Sequence, residues 1–408
     1  MHLVPVNIDS ILLKQPLPFA LMDKDGVLLA KKNYVIGSRK DLEEISQRGG
    51  GLFIDVADSE AHHRAYVDRL HGLVRDGKAL GEIADTKISP NMLNVRAAAA
   101  ADAPPDWLDL QAQGNTLLLD RNPVQFLERL ERVQATLSSC AHRNPDGALF
   151  ALVYLAGTET RMYSATHSML VSLTCGLTAR EILKWPKELE VLLCKAALTM
   201  NLSLTALQDQ LAAQVDPPTA VQLQAIDEHP VKSAEMLSAM GITDVTWLQA
   251  VREHHIQMPG PLEGRTTAQQ FVRLMQRADM FADRLAPKAG RAPLAPAAAM
   301  QACYFDENRQ MDEAGAALIK AVGIYQPGSF VRLATDEVAV VIKRGRTTTT
   351  PRVAVLINRS GMPTIEYTIR ETSLRDFRIV ASLPHRDVKV KINLERLLPL
   401  TAVPDRSW

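Results

Sequence analysis

The sequence predicts a mainly α protein, a multi-helix core flanked by a small N-terminal α+β domain and a small C-terminal β-barrel or sheet domain. Three observations predict it. From Asn122 to about Val322 the apolar residues recur at helical spacing. After Pro327-Gly328 the repeat falls to two, as in strands. Before Asp58, short apolar runs are punctuated by turn and cap residues.

Taken in order, Val4 to Phe19 alternates weakly, and Asp25-Gly26 lies between two apolar arms, which predicts a β-hairpin. Ser38 with Asp41 three residues later opens a helix through Ile45 in the manner of a capping box, and Gly49-Gly50-Gly51 ends it before a strand at Leu52-Phe53-Ile54. These elements make a domain over 1–57. Residues 58–78 read as a polar helix, and Ala97 to Ala101 with Pro104-Pro105 read as a connector, so 58–121 is assigned to a helical, Ala/Pro-rich linker.

Asn122-Pro123 is an N-cap followed by Pro at the first helical position, and Phe126, Leu127, Leu130, Val133 and Leu137 share one face of the helix that follows. Further helices are predicted at about 146–156, 160–182, 186–199, 203–214, 218–228, 230–240, 245–255, 266–286 and 310–322. Pro186 and Pro230 suit helix starts and Gly241 a helix end, giving a helical domain over 122–325. From 326 to 408, Phe330 to Leu333, Val338 to Ile342, Val353 to Ile357 and Val388 to Ile392 read as strands, with a turn at Asn358 to Gly361. The Thr347 to Thr350 loop beside Arg344 and Arg346 is either an anion site or a solvated basic loop, and the second is the commoner case.

Composition bounds the partners. With 46 Lys+Arg against 46 Asp+Glu, no global field favours nucleic acid or an anionic membrane. Cys140, Cys175, Cys194 and Cys303 are far apart without Cys-x-x-Cys spacing, which predicts reduced core thiols in a cytoplasmic protein. The start of the sequence has no basic-plus-apolar signal, and no apolar run is expected to approach the ~18 residues that cross a bilayer.

The helical region gathers the plausible metal ligands: His167, His229, His254, His255 and Asp279. Histidines and a carboxylate delivered from successive helices onto one cavity can hold a divalent metal, the imidazoles as neutral nitrogens and the Asp as charge. Each also has a bland reading: His167 as a hydrogen-bonded core residue, His229 as a residue at a helix cap before Pro230, and His254-His255 as imidazoles favoured by a helix C-terminus. Asp279 borders the apolar stripe Phe271, Leu274, Met275 and Ala278, so it needs a metal or an Arg as partner.

The order His167, then Ala196-Ala197-Leu198, His229-Pro230, His254-His255 and Asp279 resembles the HD-GYP branch of the HD phosphohydrolases, bacterial enzymes that hydrolyse cyclic di-GMP at a two- or three-metal site. The resemblance is most extensive over residues 160–300. It implies an HD-domain-like helical core, with His167, His229, His254, His255 and Asp279 as metal ligands and iron or manganese as the metal. It also puts Arg273, Lys288 and Arg291 near the substrate, where they would hold phosphate oxygens.

The departures are as specific as the matches. Met200-Asn201 stand where the family has its His-Asp pair, so the carboxylate that bridges two metals is replaced by a neutral amide. Leu204 stands where the family has a phosphate-contacting Lys, and Ile256 to Gly264 replaces the longer loop with Gly-Tyr-Pro. Three readings follow from the resemblance: a degenerate binding or scaffold module in cyclic di-GMP signalling, an active metal-dependent phosphodiesterase, and a receptor that binds cyclic di-GMP through Arg273, Lys288 and Arg291. The readings imply one divalent metal or none, cyclic di-GMP or a signalling protein as partner, and room for a homo-oligomer.

Overall fold

In the computed structural model the described residues are 3–5, 11, 13, 17, 20–31, 34–48, 51–55, 106–158, 160–390 and 392–402. The chain divides into two units, Met1–Pro104 and Pro105–Trp408.

In the first unit, strands β1 (Leu3–Pro5), β2 (Leu21–Met22), β3 (Leu28–Ala30) and β4 (Phe53–Asp55) form a sheet in the order β1-β4-β2-β3. The Asp25-Gly26 turn closes the β2–β3 hairpin, with Gly26 at φ +82° and Asp23 Oδ1 accepting from the Asp25 and Val27 amides. Helix α1 (Arg39–Arg48) starts as its sequence requires: Ser38 Oγ accepts from the Asp41 amide and Asp41 Oδ2 accepts from the Ser38 amide. It runs three residues beyond Ile45. Leu17, Leu21, Ile36, Leu42 and Leu52 form the small core. The expected polar helix at 58–78, the Ala-rich connector at 97–104 and most of Val4 to Phe19 lie outside the described residues.

The second unit holds helices α2 (Trp107–Leu119), α3 (Pro123–Arg143), α4 (Pro145–Thr158), α5 (Tyr163–Leu177), α6 (Lys187–Thr199), α7 (Thr205–Ala213), α8 (Ala220–Ala239), α9 (Val245–Glu253), α10 (Thr267–Leu285), α11 (Pro296–Gln301) and α12 (Glu313–Val322). Side-chain caps set most of the starts: Asp106, Asn122, Asp244 and Asp312 each accept amides of the first turn, while Thr219/Gln222 and Thr266/Gln269 are full capping boxes. Helix α5 is buried on every side, and α2, α4, α6 and α10 pack around it. A helix without a polar face can be stable in water only when enclosed in this way.

The observed elements revise four expectations. The region assigned to a linker contains α2, whose Trp107, Leu110, Leu117 and Leu118 sit in the main core. The two helices expected on either side of Pro230 are one, α8, with Pro230 in its interior. Residues 388–390 form no strand, because Pro384 ends the preceding strand and His385–Asp387 turns the chain away. The Lys187–Ala213 stretch is apolar and long enough by composition to cross a bilayer, but it is two helices joined by a Leu202–Leu204 turn, with 67% of its most apolar window buried.

Beyond α12, strands β5 (Phe330–Leu333), β6 (Val338–Lys343), β7 (Arg352–Ile357), β8 (Ile369–Glu371) and β9 (Ile379–Leu383) form an antiparallel sheet in the order β8-β7-β6-β5-β9, and helix α13 (Leu394–Thr401) closes the described chain. The sheet shares a core with α4 through Phe150, Phe330, Val340, Ile342 and Leu397. Arg344 ties the two together, its Nε 2.8 Å from Asp146 and its Nη1 2.7 Å from Glu181, with the Ala321 carbonyl as a further acceptor. That ion pairing accounts for Arg344, so it is not a free anion ligand in the Thr347 to Thr350 loop. The four cysteines are buried and unpaired with one another.

Candidate metal site

Helix α8 and the C-terminal end of α9 bring His229, His254 and His255 together, their ligand atoms all within 4.8 Å of one another. The rings stand edge-on to each other, with centroids 4.5 to 5.0 Å apart. His229 and His254 are buried, and His255 opens to solvent.

Local sequence fixes how two of these rings point. Pro230 has no N–H to give the Ile226 carbonyl, which a continuous helix would otherwise satisfy. His229 Nδ1 takes that role at 2.5 Å. His254 Nδ1 likewise lies 2.6 Å from the Val251 carbonyl. A neutral ring that donates from Nδ1 carries a lone pair on Nε2. The two Nε2 atoms face each other at 3.1 Å, and Asn201 Oδ1 lies 2.9 Å from His229 Nε2. Protonating a ring does not resolve this, because burial, reinforced by the neighbouring histidines, lowers His229 to about 4 and His254 to about 3. Lone pairs converging on one point from neutral rings fit a cation between them.

His167 and Asp279 form a separate pair. His167 Nε2 is 2.8 Å from Asp279 Oδ1, while His167 Nδ1 is buried with no hydrogen-bond partner. Desolvation works to raise the Asp279 carboxyl, but the hydrogen bond and charge of His167 outweigh it and hold the group below its ordinary value. Asp279 is near enough to favour a positive charge on both His229 and His254. The five expected ligands therefore share one region, as a three-histidine cluster with a His-Asp pair beside it.

The three basic residues expected at the substrate have other partners. Arg273 is fully buried; its Nε lies 2.7 Å from Asp312, Nη1 3.0 Å and Nη2 2.9 Å from Glu307, and Nη1 3.1 Å from Gln276. All its nitrogens are engaged, so it clamps α10 to the loop before α12 and has no fork to offer a phosphate. Lys288 Nζ and Arg291 Nη1 both pair with Asp283, at 2.5 and 2.8 Å. Burial opposes the charge on Asp283, yet these two cations hold its carboxyl well below the usual range.

Some residues around the site were not singled out in advance. Tyr163 stacks on His167 with centroids 5.6 Å apart and donates to Asp283 at 3.3 Å. Asp283 was legible in principle, since it lies four residues beyond Asp279 and so on the same helix face. Met200 is buried in the main core, and Leu204 is buried as well.

No family model matches the chain, and no curated protein matches it. Among solved structures the chain is similar to "Bd1817, a HDG"Y"P protein from Bdellovibrio bacteriovorus", at a TM-score of 0.41 and 14% identity, covering 78% of this chain and 98% of that one.

Proposed function

We propose that this is a bacterial cytoplasmic signalling protein whose HD-GYP-like helical domain is degenerate, serving as a binding or scaffold module in cyclic di-GMP signalling. The observation that carries the reading is at Asn201. A binuclear phosphohydrolase needs an anionic oxygen shared by two cations about 4 Å apart. At this point of the chain there is a neutral amide oxygen, 2.9 Å from His229 Nε2, and the preceding Met200 is turned into the core. The remaining carboxylate, Asp279, is held by His167.

The residues present fit one divalent ion, held by His229, His254 and His255, and not a bridged pair. Bound there, the ion would supply Lewis acidity to one ligand oxygen. The chain's own groups do the rest: the Ile226 and Val251 carbonyls orient two rings, and the Asp279 carboxylate, held by His167, favours positive charge at His229 and His254. With Arg273 engaged and Lys288 and Arg291 bound to Asp283, the fork geometry that grips a phosphodiester is missing at these positions.

The test is turnover. Purified protein supplied with manganese or iron is expected to leave cyclic di-GMP intact. Hydrolysis that disappears in Asp279→Asn would overturn the proposal and favour the second reading, an active phosphodiesterase with an altered site, which rests on the retained histidine cluster.

A further inference from the structure

We propose that the His229–His254–His255 cluster selects a borderline-soft divalent cation of the zinc class and discriminates against manganese, the harder of the two ions, iron and manganese, expected from sequence. The inference deepens the single-ion reading above and rests on it.

The argument is one of donor chemistry. Two imidazole nitrogens point at each other across 3.1 Å with their proton-bearing nitrogens tied back to carbonyls, and the third histidine closes the group within 4.8 Å. Nitrogens about 2.0–2.1 Å from a tetrahedral zinc lie a little over 3 Å from each other, so the His229–His254 spacing suits that ion. The oxygen nearest the pair is the Asn201 amide, which is neutral. Asp279, the carboxylate that acts on both buried rings, has one oxygen committed to His167. Manganese and magnesium favour carboxylate, carbonyl and water oxygens, whereas imidazole suits zinc, copper, iron and nickel. A site of three imidazoles and one amide therefore offers a hard ion little, and would offer zinc three of its preferred ligands.

The tautomers add specificity. Because Pro230 leaves the Ile226 carbonyl to His229, that ring is oriented before any ion arrives, and outer-layer partners of this kind typically change metal affinity by about 10–100-fold when lost.

The experiment uses the full chain, stripped with a chelator and titrated with cobalt(II) as a visible probe, then challenged with zinc(II) or manganese(II). The expected result is one cobalt per chain with the intense absorption of a four- or five-coordinate ion. Zinc should displace it, and manganese should compete at least about 100-fold less well. His255→Gln, at an exposed position where folding is not at risk, should weaken cobalt binding by about tenfold or more. Asn201→Asp, which adds a hard anionic oxygen, should narrow the zinc-to-manganese ratio by about tenfold. Equal affinity for zinc and manganese, binding indifferent to both His255→Gln and His229→Gln, or no cobalt bound by folded protein would each overturn the inference. Failure here is separable from failure of the functional reading: metal-free, inactive protein sinks only the cation site, and cyclic di-GMP turnover sinks only the scaffold role.

Discussion

Arg273 tests whether a cation in this domain holds the fold or a substrate. Replacing it by Met removes every close donor to Asp312 except Arg277 Nε, 3.7 Å away, and the Gly315 amide, 2.7 Å away. Asp312 has no solvent exposure at its side chain, so its charge cannot recover water. Leaving one member of a buried ion pair unpartnered typically costs about 3–5 kcal/mol. Arg277 is close enough to turn toward Asp312, and Glu307 keeps Arg277 Nη2 at 2.5 Å, which places the expected cost near 3 kcal/mol. Urea unfolding followed by circular dichroism reads this as a lower midpoint at unchanged slope. Asp312→Asn retains the cap on α12 while removing the charge, so the double variant should lose about 1 kcal/mol less than the two singles together. Wild-type stability in Arg273→Met, with a change only in ligand affinity, would refute the clamp and restore the substrate role.

Three further outcomes follow from particular contacts. His385, enclosed between α4 and the sheet with its Nε2 3.0 Å from the Gly328 carbonyl, is lowered by burial from 6.5 to about 4, so the unfolded chain takes the proton first as pH falls. Stability from this group is complete above pH 6.5 and falls by roughly 3 kcal/mol toward pH 4, and unfolding curves of wild type against His385→Gln should converge over that window. Gly157→Ala puts a methyl 2.3 Å from His385 Nδ1, and denaturation should show a loss of about 1–3 kcal/mol. Pro230→Ala returns an N–H to the Ile226 carbonyl, so the variant should gain about 1–2 kcal/mol, while nitrogen-detected NMR should find His229 released from its Nδ1–H state.

The sequence was most informative where local chemistry decides structure. The Ser38/Asp41 box, the Asn122-Pro123 start and the Asn358–Gly361 turn all depend on nearest neighbours, and each is present with the expected hydrogen bonds. Pro230 shows where such reasoning fails. A helix interior that rejects proline tolerated it because the preceding side chain, His229, took over the orphaned carbonyl. Helix α2 was hidden by the Ala/Pro-rich composition before it, and its burial comes from packing against α3 and α5. At the candidate site, the cluster of three histidines could be anticipated from their order, but the partners of Arg273 could not. Glu307 and Asp312 lie 34 and 39 residues away in sequence, and nothing in periodicity links them.

The number of metal ions held near Asn201 and the three histidines tests the central claim most directly. Crystals of protein soaked in excess manganese or zinc, with anomalous scattering recorded at each metal's edge, are expected to show at most one ion per chain, among His229, His254 and His255. Two ions about 4 Å apart, sharing Asn201 or Asp279, would contradict it.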